Sequence, residues 1–374
     1  MNTLNCGGLP RAPGWLRAAL LLLLLGGCGG GVDSGGTGGA AVYASGPING
    51  YGSIVVNGVH FDDSAGSIKD DDDTPRSRSD LKLGMVVELR GSAITKDAFL
   101  DLNSVASSIV IGSEVVGPID TNSITSNSLS VLGRPIDVQP TTVFEQSAGL
   151  AALAPGDVVE VYGLYNAVMD RLTATRIERK SSPPANYRIR GKVSALNSTN
   201  ATFSIGTLPI SYATLSGAEI PAGLANGAVL RIRLNPAPNA GVWTANRLRR
   251  GVSSPDDRTQ SKVEGRIDSF MSATQFSVAG VPVTTNPQTE FDTSDGDLLV
   301  GARAQVEGTY ANGTLVADKV EVESDSGDDF DFRGLLQSVD SATQTLTIQG
   351  VSIDYSGPIQ FDSGKSAANL RPDA

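Results

Sequence analysis

The sequence predicts an all-β protein, a tandem array of small five-stranded units behind an export signal and a flexible tether. Three observations predict it. A glycine opening an apolar step recurs as Gly46-Pro-Ile48, Gly117-Pro-Ile119, Gly191-Lys-Val193, Gly265-Arg-Ile267 and Gly334-Leu-Leu336, at spacings of 71, 74, 74 and 69 residues. A turn followed by an alternating strand recurs as Leu153-Ala-Pro-Gly-Asp-Val-Val-Glu-Val-Tyr-Gly163 and again over residues 83–91, 226–234 and 299–308. Finally, 43 glycines with only 5% aromatic residues in a 374-residue chain suit many short strands and turns rather than one large aromatic core.

The amino-terminal stretch comes first. Arg11 and Arg17 precede Ala18-Ala-Leu-Leu-Leu-Leu-Leu-Leu25, then Gly26-Gly27-Cys28. A basic region, a short apolar run and small residues describe an export signal. The run is shorter than the roughly 20 residues a spanning helix needs. Leu25-Gly-Gly-Cys28 also resembles a bacterial lipobox. That resemblance implies cleavage after residue 27, lipid on Cys28 and passage to the outer membrane, with the folded part facing the periplasm or the exterior. An ordinary signal with an incidental cysteine is the alternative. Residues 28–41 are Gly-rich with Ser34 and Thr37, a tether whose thirteen residues after Cys28 span roughly 20 Å as a random coil.

The repeats follow in order. In the alternating strand one parity is apolar, as in Val87 and Leu89, Val159 and Val161, Leu230 and Ile232, or Ala304 and Val306. The other carries Glu88 and Arg90, Glu160 and Tyr162, Arg231 and Arg233, or Gln305 and Glu307. Period-two alternation bounded by glycine marks a half-buried strand. Each unit opens at its anchor glycine with a first strand, in which Ala44, Val115, Ile189, Val263 or Phe332 precedes that glycine by two residues. A tight hairpin comes next, as in Ile54-Val-Val-Asn-Gly58 and Leu129-Ser-Val-Leu-Gly133, where glycine supplies the turn. A Thr-x-Phe step (Thr142-Val-Phe144, Thr289-Glu-Phe291) leads to the alternating strand, and Leu172-Thr-Ala174, Trp243-Thr-Ala245 or Leu315-Val-Ala317 closes the unit. Five strands in this order suit a small barrel of the oligonucleotide/oligosaccharide-binding (OB) type. An open five-stranded sandwich is the alternative.

The units divide the chain into a signal (1–27), a tether (28–41), repeats over 42–112, 113–184, 185–255 and 256–323, and an acidic linker with an incomplete fifth repeat (324–374). These motifs resemble the bacterial repeat family known only as domain of unknown function 5666. The resemblance implies a tandem β-rich exported lipoprotein and transfers no chemistry. Repeat 1 departs from the pattern, with an acidic insertion in place of the Thr-x-Phe step.

Charge and residue usage narrow the function. A net charge of −11 argues against general nucleic-acid binding. Cys6 and Cys28, the two cysteines, both precede the repeats, which excludes a thiolate metal site or cysteine nucleophile within them. The single histidine, His60, falls on the outward parity of its strand without the partners that a metal site or triad needs. Asp70-Asp-Asp-Asp73, beside Asp62 and Asp63, and the second acidic stretch through Glu321, Glu323, Asp325, Asp328, Asp329 and Asp331 read as solvated loop and linker. Weak calcium coordination is the alternative. No nucleophile elbow, zinc-protease motif or phosphate loop occurs, and no pair of acids recurs at aligned positions as glycoside hydrolysis would need. The expectation is a non-catalytic protein without cofactor or metal.

Repeat 3 stands apart. It carries Arg188, Arg190, Lys192, Arg231, Arg233, Arg247, Arg249 and Arg250 against Glu219 alone. Strands one and four are neighbours in an OB barrel, so Arg188, Arg190, Arg231 and Arg233 are expected to share one outward face. Like charges across a sheet destabilise it unless anions sit between them. One reading is binding of an anionic envelope polymer or acidic protein through bidentate arginine contacts. The other is that acidic neighbouring repeats satisfy the charge from within.

Overall fold

A computed structural model describes residues 42–97, 102–166, 169–251, 255, 257, 259–324, 330–332, 334–348, 350–361, 364 and 366–372. The signal, the tether and Cys28 lie outside the described residues, as do Asp325, Asp328 and Asp329. Among the described residues there are strands and short 3-10 turns and no α-helix.

Repeat 2 displays the architecture. Its first strand, Val115–Ser123, runs antiparallel to Ser128–Val131, which turns back into Arg134–Glu145. Arg171–Arg179 lies parallel to that third strand, and Val158–Asn166 joins it to the first strand again. The circuit one-two-three-five-four-one is a closed five-stranded barrel of OB connectivity, and closure leaves no free sheet edge. Repeat 3 repeats the circuit with Tyr187–Asn197, Thr202–Ile205, Leu208–Ser211, Val229–Leu234 and Trp243–Arg250. Repeat 4 does so with Thr259–Ser272, Gln275–Val278, Val281–Thr284, Arg303–Ala311 and Thr314–Glu323. In repeat 1 the strands are Val42–Pro47, Ile54–Val56, Val59–Asp62, Val86–Gly91 and Leu102–Ile111. There the Asn49 amide, donating to the Val55 carbonyl at 3.0 Å, brings the chain after the first strand onto the second.

Each recurring motif has a physical task. At the Asn57-Gly58 hairpin both residues have positive φ, 52° and 67°, the backbone of a two-residue turn that matches strand twist. The anchor glycine lies where another barrel residue leaves no space: a β-carbon on Gly191 would stand 2.2 Å from Arg134 Nη2 and 2.4 Å from Ile205 Cγ2. The glycine expected to close the fourth strand sits instead at a β-bulge, with register shifts at Arg90/Gly91, Tyr162/Gly163 and Glu307/Gly308, and in repeats 2 and 4 the strand runs on past it to Asn166 and Ala311. Such bulges bend a strand around a small barrel. The Thr-x-Phe step lays chain along the fifth strand, within the third strand in repeat 2 and as the separate short strand Glu290–Asp292 in repeat 4, so that Phe144 pairs with Ile177 and Phe291 with Val320. Its threonine donates to the alanine carbonyl of the closing motif, Thr142 to Ala174 and Thr289 to Ala317, each at 2.7 Å. Two motifs far apart in sequence are thus two ends of one hydrogen bond.

The barrels are joined through their first strands. Val42–Pro47 pairs in parallel with Thr259–Ser272, linking barrels 1 and 4, and Val115–Ser123 pairs antiparallel with Tyr187–Asn197, linking barrels 2 and 3. The interiors of barrels 2 and 3 form one continuous apolar cluster, while barrels 1 and 4 each have their own. The predicted apolar parity is inside, with Val87, Leu89, Val159, Val161, Leu230, Ile232, Ala304 and Val306 all buried. The other parity differs from a solvated face. Tyr162 of barrel 2 packs into the core of barrel 1, and Tyr43 of barrel 1 into that of barrel 4, because barrel surfaces cover one another.

In the expected incomplete fifth repeat, Leu336–Asp340, Thr345–Ile348 and Val351–Asp354 form a three-stranded meander. Asp331–Phe332, just before it, pairs in parallel with Gly50–Tyr51 of repeat 1 rather than with that meander.

Candidate functional site

The predicted arginine face exists, and it is larger than four residues. In barrel 3, Arg190 stands opposite Arg231 and Arg231 opposite Arg249, while Arg188 stands opposite Arg233 and Arg233 opposite Arg247. Three neighbouring strands therefore carry a grid of two rows of three guanidiniums. Arg247 and Arg249 were countable in the sequence as local charge. Their two-residue spacing on the fifth strand was the signal that places them on the same face.

The chain itself supplies the counter-ions. Arg190 Nη1 lies 2.6 Å from Glu114 Oε1, and Arg231 Nη2 lies 3.2 Å from Glu88 Oε1. Arg188 lies 3.5 Å from both Asp71 and Asp72 and 3.7 Å from Glu160. Arg233 reaches Asp72 at 3.9 Å, Arg247 lies 3.1 Å from the Asp72 carboxylate, and Arg249 pairs with Asp73. Arg249 also donates to the Asp71 main-chain carbonyl at 2.7 Å. Six guanidiniums thus meet six carboxylates, from barrel 1 (Asp71, Asp72, Asp73, Glu88) and from the repeat 2 segment (Glu114, Glu160). No guanidinium side chain of the grid is more than 33% exposed. The grid is a seam between barrels.

The acidic run of repeat 1 is accordingly a docked finger rather than a solvated loop. Asp70 builds it: one carboxylate oxygen accepts the amides of Asp72 (3.0 Å) and Thr74 (2.9 Å), and the other pairs with Arg76 at 2.7 Å. That turn aims Asp71, Asp72 and Asp73 at the grid. Asp71 is the most deeply placed, and burial pushes its carboxyl up from 3.8 to about 6 against the pull of Arg231 and Arg188. For Arg188, burial opposes the charge, but Glu160, Asp71 and Asp72 outweigh it and its pKa is raised. Arg231 behaves alike, with Glu88 and Asp71 outweighing burial. Glu160 is buried too, yet Lys180 and Arg188 hold its carboxyl below the ordinary value.

All four barrels meet beside this seam, around a cavity of about 50 Å³ lined by Glu88, Glu114, Arg190, Arg231, Glu264 and Arg266 among others. Arg303 and Glu264, both almost wholly buried, pair at 2.8 Å behind it. Charge is thus concentrated at the junctions and apolar side chains within the barrels. His60 is covered rather than solvated: it is 6% exposed, with a carboxylate oxygen of Asp331 3.2 Å from Nε2.

Fold and seam together define a tandem β-barrel protein whose units are fused through first strands and charge. Residues 116–178 and 264–321 match the family described as Domain of unknown function (DUF5666). Each match runs within one barrel, barrels 2 and 4, from its first strand to its fifth, so the two matched stretches are similar to that one domain family. No curated protein matches the chain.

Proposed function

We propose that this chain is a non-catalytic lipoprotein of the cell envelope, a preassembled block of barrels held at the outer membrane by lipid on Cys28. Its role in this reading is structural, or that of a scaffold presenting its outer surface. One observation carries it: the arginine face that an anionic ligand would use is already paired between barrels, six guanidiniums against six carboxylates. Ion pairs at this density specify how units dock more than they add stability. The lipobox-like Leu25-Gly-Gly-Cys28 supports the anchor. Stable anchoring takes two membrane signals, so more than one acyl chain on Cys28 is part of the proposal.

Two experiments test the proposal. Cells expressing the full chain and fed an alkyne-tagged fatty acid should yield a labelled, membrane-associated protein, and Cys28→Ser should abolish the label and release the protein. The full chain should also show no salt-sensitive binding to lipopolysaccharide or to an anionic polysaccharide. Salt-sensitive binding, weakened by replacing Arg188, Arg190, Arg231 and Arg233 with Ala, would instead favour a polyanion-binding module, a role that requires the Asp71–Asp73 finger to leave the grid. Glycan cleavage by the same preparation, lost on removing one carboxylate, would favour a more distant reading, a carbohydrate-active enzyme with acids in a groove between repeats.

A further inference from the structure

The only histidine of the chain is buried under a segment from the far end of the sequence, and the contact is built from three sides. Asp331–Phe332 lies as a two-residue parallel strand on Gly50–Tyr51, with the Asp331 amide donating to the Asn49 carbonyl at 3.0 Å. The Phe332 ring packs against Tyr51 at 6.2 Å between centroids. Tyr51 is itself fixed, its hydroxyl donating to the Leu81 carbonyl at 3.2 Å and accepting the Leu83 amide at 2.9 Å. Gly50 makes room for the strand: a β-carbon there would stand 2.1 Å from the Asp331 carbonyl oxygen. Beneath, His60 Nε2 lies 3.2 Å from Asp331 Oδ2 and His60 Nδ1 lies 3.4 Å from Ser53 Oγ.

We propose that residues 330–332 form a proton-controlled strap, clasped to barrel 1 when His60 is protonated and loosened when it is neutral. Histidine is the side chain whose charge ordinarily changes between pH 5 and 8. Directly across the sheet from His60 stand Val55 and Asn103, which do not ionise. The charged groups near its strand are Asp62 two residues along, Asp63 paired with Arg78, and Lys96 and Asp97 on the segment beyond Leu102 and Asn103; carboxylates, lysine and arginine ordinarily keep their charge over that range. Protonation therefore turns an imidazole–carboxylate hydrogen bond into an ion pair, with Nε2 donating to Asp331 and Nδ1 becoming a donor toward Ser53. A hydrogen bond is strengthened when its two partners carry opposite charges. The strap leads into the meander of repeat 5, whose Val351 rests on the apolar cluster of barrel 1. Loosening it frees that end of the chain from the block.

Hydrogen exchange of the full-length protein, read by mass spectrometry at pH 5.5 and pH 8 and corrected for intrinsic rates, tests this. Protection of the Asp331 and Phe332 amides should fall about fivefold to tenfold between the two, beyond any fall in the amides of barrels 2 and 3, which report the titration of Asp71 in the seam. His60→Gln keeps a side-chain donor without a titrating ring and should remove the pH step. Gly50→Ala should deprotect the strap at both values. Asp331→Asn, which leaves barrel 1 untouched, serves the same end should Gly50→Ala misfold. Wild-type protection independent of pH, or an undiminished step in His60→Gln, overturns the proposal.

Discussion

Asp71 carries the clearest consequence at the scale of single residues. Its carboxyl is raised from 3.8 to about 6 by burial, so the folded chain binds this proton more tightly than the unfolded one. Between those values the folded state holds the proton and the unfolded state does not. The contribution of Asp71 to stability therefore falls as pH rises from about 4 to about 6, and the full penalty, of order 3 kcal/mol, persists above. Asp71→Asn mimics the protonated form. It should stabilise the protein by roughly 1–3 kcal/mol at pH 7.5 and leave it nearly unchanged at pH 4, read from urea unfolding at both values. A destabilised variant at pH 7.5 would mean that the ionised carboxylate is a net gain to the seam. Glu160 works in the opposite sense: its lowered pKa adds stability present above its ordinary 4.5 and lost as pH falls. Arg190→Ala is predicted to be costly in a different way. It leaves Glu114, 3% exposed, without its guanidinium, and stranding a buried charge costs about 3–5 kcal/mol, visible as a lower denaturant midpoint.

Element-scale logic explains how much was legible in the sequence. Anchor glycines, hairpin glycines and the alternating strand each follow from local geometry. The succession of strands therefore follows from residue pattern, and the placing of Arg188, Arg190, Arg231 and Arg233 on one face from that pattern read in the OB topology. Partners across barrels do not. Asp71 and Arg188 are joined by docking, and no periodicity records which surface meets which. The same limit hid the cover over His60, since parity identifies a face but not what lies on it. Local motifs also make testable claims. A β-carbon on Gly163 would stand 2.2 Å from the Thr173 carbonyl, so Gly163→Ala should cost about 1–3 kcal/mol through overpacking. Barrel 3 bulges at Arg233/Leu234 without glycine, so the bulge and not the residue is the constant feature. Thr289→Val removes a hydroxyl that donates to Ala317 and accepts from Asn286. It should cost about 1–2 kcal/mol, seen as a lower melting temperature.

Across the whole molecule, barrels 1 and 4 and barrels 2 and 3 share strand ladders, and the arginine grid ties barrel 3 to the carboxylates of barrel 1 and repeat 2. Independent beads on a string would have kept their polar parities in water. The central claim is that the four barrels are one cooperative unit. Differential scanning calorimetry of the full chain tests it most directly, with the calorimetric and van't Hoff enthalpies compared. A single transition over the four barrels, with the two enthalpies agreeing and moved as a whole by Arg190→Ala, is the predicted result. Separate transitions, of which Arg190→Ala shifts only one, would contradict it.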